Sequence, residues 1–132
     1  MVFLYDFAML DNVDGNVRVY FSKNFNSFWK FCPLTKLDVL SSMKEIPVIT
    51  GYKLDGVEVP RFDTLSDLDR MEPVVTILPG WEQDLSGCKS WDDLPKEAKG
   101  YVEFLEQQLD HEIQFVSTGA EREKFVLKGE WL

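Results

Sequence analysis

One stretch of this 132-residue chain carries a clear helical period, and it lies between segments that read as strands. Ala98, Tyr101, Val102, Leu105 and Leu109 recur at the spacing that lines one side of a helix. Pro95 falls near the first turn, where its missing N–H costs little, and Glu97 favours the positive end of the helix dipole. Upstream, Ile46-Pro47-Val48-Ile49-Thr50-Gly51-Tyr52 is β-branched and apolar and reads as a strand. Pro47 donates no ladder hydrogen bond, so it is expected near the strand's start or on an unpaired side. Leu54-Asp55-Gly56-Val57-Glu58-Val59 sets a D-G turn ahead of an alternating run, which predicts a hairpin. Pro73 to Leu78 reads as a strand stopped by Pro79-Gly80. Beyond the helix, Ile113 to Val116 and Lys124 to Leu127 read as strands around the polar turn Ser117 to Glu123. One main helix (about residues 95–109) among strands predicts an α/β fold, a partial mixed sheet layered with that helix. Several β-rich segments have few local partners, so the sheet is expected to be incomplete by itself. Gly100 weakens the helix slightly and is expected at a close packing contact.

Composition changes near Pro33. Residues 1–33 hold nine of the 18 aromatic residues and balance three acids with three bases. The net charge of −9 therefore belongs to residues 34–132, with 20 acids against 11 bases. This divides the chain into an aromatic-rich segment of unassigned origin, 1–33, and an acidic domain, 34–132. In the first, Asp14-Gly15-Asn16 could turn a hairpin whose first strand is short. The aromatic cluster from Phe21 to Phe31 reads either as a partner-binding surface or as an aggregation-prone segment. The acidity argues against nucleic acid and anionic membrane surfaces as partners. A small anionic ligand stays open, because a pocket can gather backbone N–H groups whatever the global charge. No apolar run is long enough to span a bilayer. Met1 to Leu10 carries Asp6 and lacks a basic leader, so a secretory signal is not expected.

Cys32 and Cys88 fit no metal-ligand spacing and read as reduced thiols in a cytoplasmic protein. The single histidine, His111, leaves no His-pair metal site and reads as part of a helix end. Asp92-Asp93 are expected to cap the helix. Asp67 and Asp69 are expected to be solvated or part of a short helical turn. Trp81 and Trp91 are expected to pack in the core or under a lid.

The most informative tetrapeptide is Thr35-Lys36-Leu37-Asp38. Guanine presents two neighbouring donors, its ring imino N–H and its exocyclic amino group, and one fixed carboxylate accepts both. Adenine has an acceptor where guanine has the imino donor, so it leaves that carboxylate unpaired. Such a mismatch costs on the order of several kcal/mol in a buried site. A lysine stem can lie along the base face while its ammonium stays in water. In isolation, the same tetrapeptide is more often a loop or helix start in which Thr35 and Asp38 satisfy local backbone groups. Ser117-Thr118-Gly119, at a strand end, could let backbone approach a flat base, or could be an ordinary turn.

The ordered set of segments resembles the C-terminal part of the adenylosuccinate synthetase family. Leu34-Thr35-Lys36-Leu37-Asp38-Val39-Leu40 comes first, then Glu45-Ile46 leading into Gly51-Tyr52-Lys53-Leu54-Asp55-Gly56. Leu78-Pro79-Gly80-Trp81, Ser90-Trp91-Asp92-Asp93-Leu94-Pro95, the helix with Tyr101-Val102-Glu103-Phe104, and Ser117-Thr118-Gly119 with Arg122 follow in order. The resemblance covers about residues 34–128. It implies the C-terminal part of that fold, with Lys36, Leu37 and Asp38 on the guanine of GTP and Ser117, Thr118 and Gly119 as the opposite wall. Ala120 stands where many members carry proline.

The family uses GTP to join IMP and aspartate into adenylosuccinate for AMP synthesis, needs Mg²⁺, and forms homodimers. Phosphoryl transfer needs a phosphate loop, a catalytic Asp and His, metal ligands and an Arg-rich loop. The eight glycines here are scattered and form no such loop. The chain is therefore expected to keep the guanine-reading part, to bind guanine nucleotide weakly if at all, and to be inactive alone. The alternative is a non-catalytic small acidic domain acting through protein–protein contacts.

Overall fold

The computed structural model describes residues 9–13, 16–20, 33–59 and 70–129. The cluster Phe21 to Phe31, Cys32, Asp67 and Asp69 lie outside the described residues. Among the described residues, eight strands and one α-helix follow in the order β1 (Met9–Val13), β2 (Asn16–Tyr20), β3 (Pro33–Leu34), β4 (Glu45–Leu54), β5 (Val57–Val59), β6 (Met71–Pro79), α1 (Lys96–Leu109), β7 (Phe115–Ser117) and β8 (Phe125–Leu127). They form a β1–β2 hairpin and two three-stranded sheets ordered β3-β7-β8 and β5-β4-β6. The fold is α/β, with partial sheets around one main helix, as the sequence predicts.

Helix α1 buries Ala98, Tyr101, Val102 and Leu105, with Leu109 packed at the rim of the core. Gly100 is exposed with nothing within 4 Å of the position its Cβ would occupy, so the packing contact expected there does not form. Pro95 is the N-cap residue of α1. Asp93 instead serves the short 3-10 helix Trp91–Asp93, in a reciprocal capping box with Ser90. Its Oδ2 accepts the N–H groups of Lys89 (3.0 Å) and Ser90 (2.9 Å). The helix ends on Asp110 at φ 53°, and the Asp110 and His111 N–H groups both reach back to the Glu106 carbonyl. Glu106 then closes the corner. Its carboxylate accepts the Ile113 N–H at 2.8 Å and pairs with Lys128, whose ammonium sits 5.1 Å from the centre of the Trp91 ring.

The core gathers Leu34, Leu37, Leu40, Ile46, Val48, Trp81, Leu85, Leu94, Ile113, Val116 and Val126 around the buried face of α1. Trp81 is a core residue, tilted 58° against Tyr101 at 5.7 Å, while Trp91 packs at the core's edge. In the β5-β4-β6 sheet, Asp55 (φ 51°) and Gly56 (φ 82°) form the expected two-residue turn, both at the positive φ of a type I′ hairpin. Strand β5 pairs only with Tyr52 to Leu54, so at Pro47 a single edge of β4 is paired within this sheet. Strands β1 and β2 pair antiparallel, with Val13 opposite Asn16. The first of them, however, has five residues matched one for one with the second rather than being short.

Gly80 ties the end of β6 to the turn that enters β4, within the β5-β4-β6 sheet. Its N–H donates to the Lys44 carbonyl at 2.8 Å, and a Cβ there would sit 1.9 Å from the Met43 carbonyl oxygen. The end of β6 can lie against the turn that enters β4 only because residue 80 has no side chain.

Candidate functional site

A short parallel pairing brings distant segments together. Strand β3 runs beside β7 with Pro33 opposite Phe115 and Leu34 opposite Val116. Parallel strands end on the same edge of a sheet. Thr35-Lys36 therefore leaves β3 at the edge where Ser117 ends β7 and Thr118-Gly119 follows. Edges of this kind, at the carboxyl ends of parallel strands, are the usual ligand crevices of α/β sheets. The 3-10 helix Leu37–Leu40 that continues from Lys36 packs against β7.

On the first wall, Leu37 and Leu40 are fully buried and anchor the turn. Thr35 and Lys36 are exposed and Asp38 is half-buried. Because the Leu37 side chain belongs to the core, only its backbone could meet a ligand. Lys36 stands at φ 60°, ψ 36°, a left-handed conformation that costs an ordinary residue about 1 kcal/mol. Of the three described non-glycine residues at positive φ, Asp55 serves a hairpin turn and Asp110 a helix end; Lys36 sits inside the predicted base-reading tetrapeptide. The Ser41 N–H donates to the Asp38 carbonyl at 3.0 Å, which fixes the backbone beside the carboxylate.

On the second wall, the Ser117 hydroxyl donates to the Gly119 carbonyl at 2.8 Å, and the Thr118 N–H donates to the Lys124 carbonyl at 2.9 Å. Thr118 is fully buried, and its Oγ1 has no hydrogen-bond partner among the described residues. An unsatisfied buried hydroxyl costs on the order of 1–3 kcal/mol. A Cβ on Gly119 would lie 2.9 Å from Cβ and 3.0 Å from Cγ of Lys124, so the lysine stem fills the space a side chain would need. The Lys124 ammonium donates to the Ser86 carbonyl at 2.8 Å and pins this wall to the loop before α1. Sequence reasoning missed Lys124. Its carbonyl and stem act from across a turn, and the only trace of them is the glycine they demand at 119.

A cavity of about 540 Å³ lies among Ser86, Cys88, Lys89, Ser90, Lys124 and Phe125, with Glu123 and Leu127 completing it. It includes none of the six predicted site residues and is distinct from the strand-end crevice. The Cys88 thiol is buried, donates to the Asp93 carbonyl at 3.4 Å, and is pushed up in pKa by burial and then by Asp93 and Asp84. It is a structural thiol rather than a reactive one. Among the described residues no three His, Cys, Asp or Glu side chains converge to hold a metal.

The arrangement is an α/β domain in which two segments leave one edge of a parallel strand pair and form the candidate crevice. A sequence model of adenylosuccinate synthetase matches residues 15–126, and the chain belongs to that family. The adenylosuccinate synthetase of Candida dubliniensis is 45% identical over 113 residues, covering 85% of this chain and 26% of the relative. The relative "Adenylosuccinate synthetase 1, chloroplastic" of Ricinus communis is 39% identical over 107 residues, or 80% of this chain and 24% of its own length. The solved structure of fully ligated adenylosuccinate synthetase from Plasmodium falciparum superposes with a TM-score of 0.71 at 30% identity, over 76% of this chain and 25% of that one. The chain thus spans about a quarter of the length of these relatives. The family match starts at residue 15, ahead of the composition change at Pro33. No helix among the described residues is long and apolar enough to cross a membrane.

Proposed function

We propose that the strand-end crevice reads the guanine of GTP for a ligase that joins IMP and aspartate. Asp38 accepts the imino and amino N–H groups of the base, the Lys36 stem lies along one face, and Ser117-Thr118-Gly119 forms the facing wall. The observation that carries this is the parallel β3–β7 pairing, which brings the two predicted segments to one edge. The left-handed backbone at Lys36 supports it, since strain of this kind collects at ligand clamps. Gly119, with Lys124 behind it, supports it by keeping a flat, side-chain-free wall.

Base contacts without phosphate contacts must offset the entropy of association by themselves, so binding by these 132 residues is weak. The phosphate loop, catalytic Asp and His and Mg²⁺ donors come from outside these residues, and this stretch alone forms no adenylosuccinate. Assembly as a homodimer and residence in the cytoplasm belong to the same proposal. The test is a base swap. Xanthine carries an acceptor where guanine carries its amino group, so Asp38→Asn, which supplies a donor, should favour XTP over GTP in titration calorimetry. Preference for GTP that survives Asp38→Asn would remove Asp38 from the site.

A further inference from the structure

The β5-β4-β6 sheet is apolar on both faces. On one face, Ile46, Val48 and Leu78 enter the core. Residues paired directly across an antiparallel ladder share a face. Pro47 pairs with Ile77, Ile49 with Val75, and Leu54 with both Met71 and Val57, so these side chains lie on the opposite face. Between Ile49 and Gly51 the register slips by one residue, leaving Thr50 as a bulge. That extra residue is decisive. Strict alternation would send Tyr52 and Leu54 to the core side, and the bulge returns them to the face already occupied by Pro47 and Ile49.

The charged residues of the hairpin end, Lys53, Glu58 and Glu72, pair with one another on the core side of the sheet, beyond the core itself. Among the described strand residues, Glu45 at the far end is the one charge on the outer face. Yet this outer face is open. Val57 is 68% exposed, Ile77 55% and Val75 46%. A strand such as Pro73 to Leu78, apolar on successive residues, is the pattern of a strand buried on both sides. Monomeric proteins seldom leave a contiguous apolar face of this kind in water.

We propose that this outer face is the seam against which the other three-quarters of the adenylosuccinate synthetase fold packs. Two findings name the occupant. The chain covers only 26% of the Candida dubliniensis relative and 25% of the Plasmodium falciparum structure, so most of the family fold lies outside it. The chain also superposes on that structure over 76% of its length at a TM-score of 0.71. The seam stands independently of base recognition in the crevice.

The test is Val75→Asp with Ile77→Asp in two settings. In the 132-residue chain both positions face water, and the melting temperature should move by less than about 2 °C. In full-length Candida dubliniensis adenylosuccinate synthetase carrying this chain in place of its matched quarter, both carboxylates would be buried. There the melting temperature should fall by about 5 °C or more, or soluble protein should be lost. If the chimera does not accumulate, acidic substitutions at the aligned positions of the relative itself give the same readout. An equal response in both settings overturns the seam. So does a 132-residue chain that sediments as a dimer and is made monomeric by the two substitutions, because a second copy would then be the occupant.

Discussion

The crevice region around β3, β7 and α1 differs from the β5-β4-β6 sheet in where each puts its apolar side chains. Around the crevice, Leu34, Leu37, Val116 and Val126 point inward, Asp38 is half-buried, and Thr35, Lys36 and Val39 are left outside. In the antiparallel sheet, Val57, Val75 and Ile77 stay outside while Ile46 and Val48 go in. The first region completes its own core and offers polar groups and backbone to a small molecule. The second offers area to another piece of protein. On the proposed reading, the chain carries a ligand edge and a packing face in separate places.

The largest expected effect strikes the antiparallel sheet, where the end of β6 lies against the turn entering β4. Gly80→Ala drives a methyl into the Met43 carbonyl, where the nearest contact is backbone and neither segment can yield cheaply. A loss of about 3–4 kcal/mol by urea unfolding is expected, enough to unfold much of a marginal domain. A Gly80→Ala protein as stable as the parent would mean that the end of β6 is not held against the turn entering β4.

Next comes the contrast itself. Leu37→Ala should cost about 3 kcal/mol because Leu37 is fully buried, while Ile77→Ala in the same chain should cost under about 1 kcal/mol. Equal losses would erase the distinction. Glu106→Ala should follow at about 1–2 kcal/mol, since it leaves the Ile113 N–H without its acceptor at the turn that leads into β7. Retention of the Ile113 amide's hydrogen-exchange protection in that variant would show that the turn does not depend on Glu106.

The smallest effect is a pH dependence. The N–H of Lys89 and the hydroxyl and N–H of Ser90 hold the Asp93 carboxyl below its ordinary range. A group whose folded pKa is depressed stabilises the fold above its unfolded pKa and loses that contribution as pH falls through the folded value. Asp93→Asn should therefore lower the melting temperature slightly near pH 7 and flatten its decline below about pH 4. A decline as steep as the parent's would assign the acid sensitivity to other carboxylates.

Local chemistry made much of this legible. The spacing of Ala98, Tyr101, Val102 and Leu105 gave α1 and its buried face, and Asp55-Gly56 gave the hairpin with its turn type. What stayed hidden depends on geometry between segments. The β3–β7 pairing involves two residues per strand from opposite ends of the domain, too short for any periodic signal. The bulge at Thr50 reverses the alternation that strand patterns rely on, so the apolar outer face cannot be read by counting residues. Asp92-Asp93 satisfied the usual rule for a helix start, but Leu94 and Pro95 intervene, and the cap belongs to the 3-10 helix instead. At the crevice, residue types announced a base-reading site, while the reason Gly119 must be glycine lies in the stem of Lys124.

Amide chemical shifts of the 132-residue chain, followed as guanosine 5′-triphosphate and then adenosine 5′-triphosphate are titrated to about 10 mM, address the crevice most directly, because that range covers millimolar dissociation constants. Saturable shifts at residues 35–38 and 117–119 with the guanine nucleotide, and none there with the adenine nucleotide, are predicted. Identical responses to both nucleotides, or movement confined to residues outside those two segments, would contradict a guanine-reading edge.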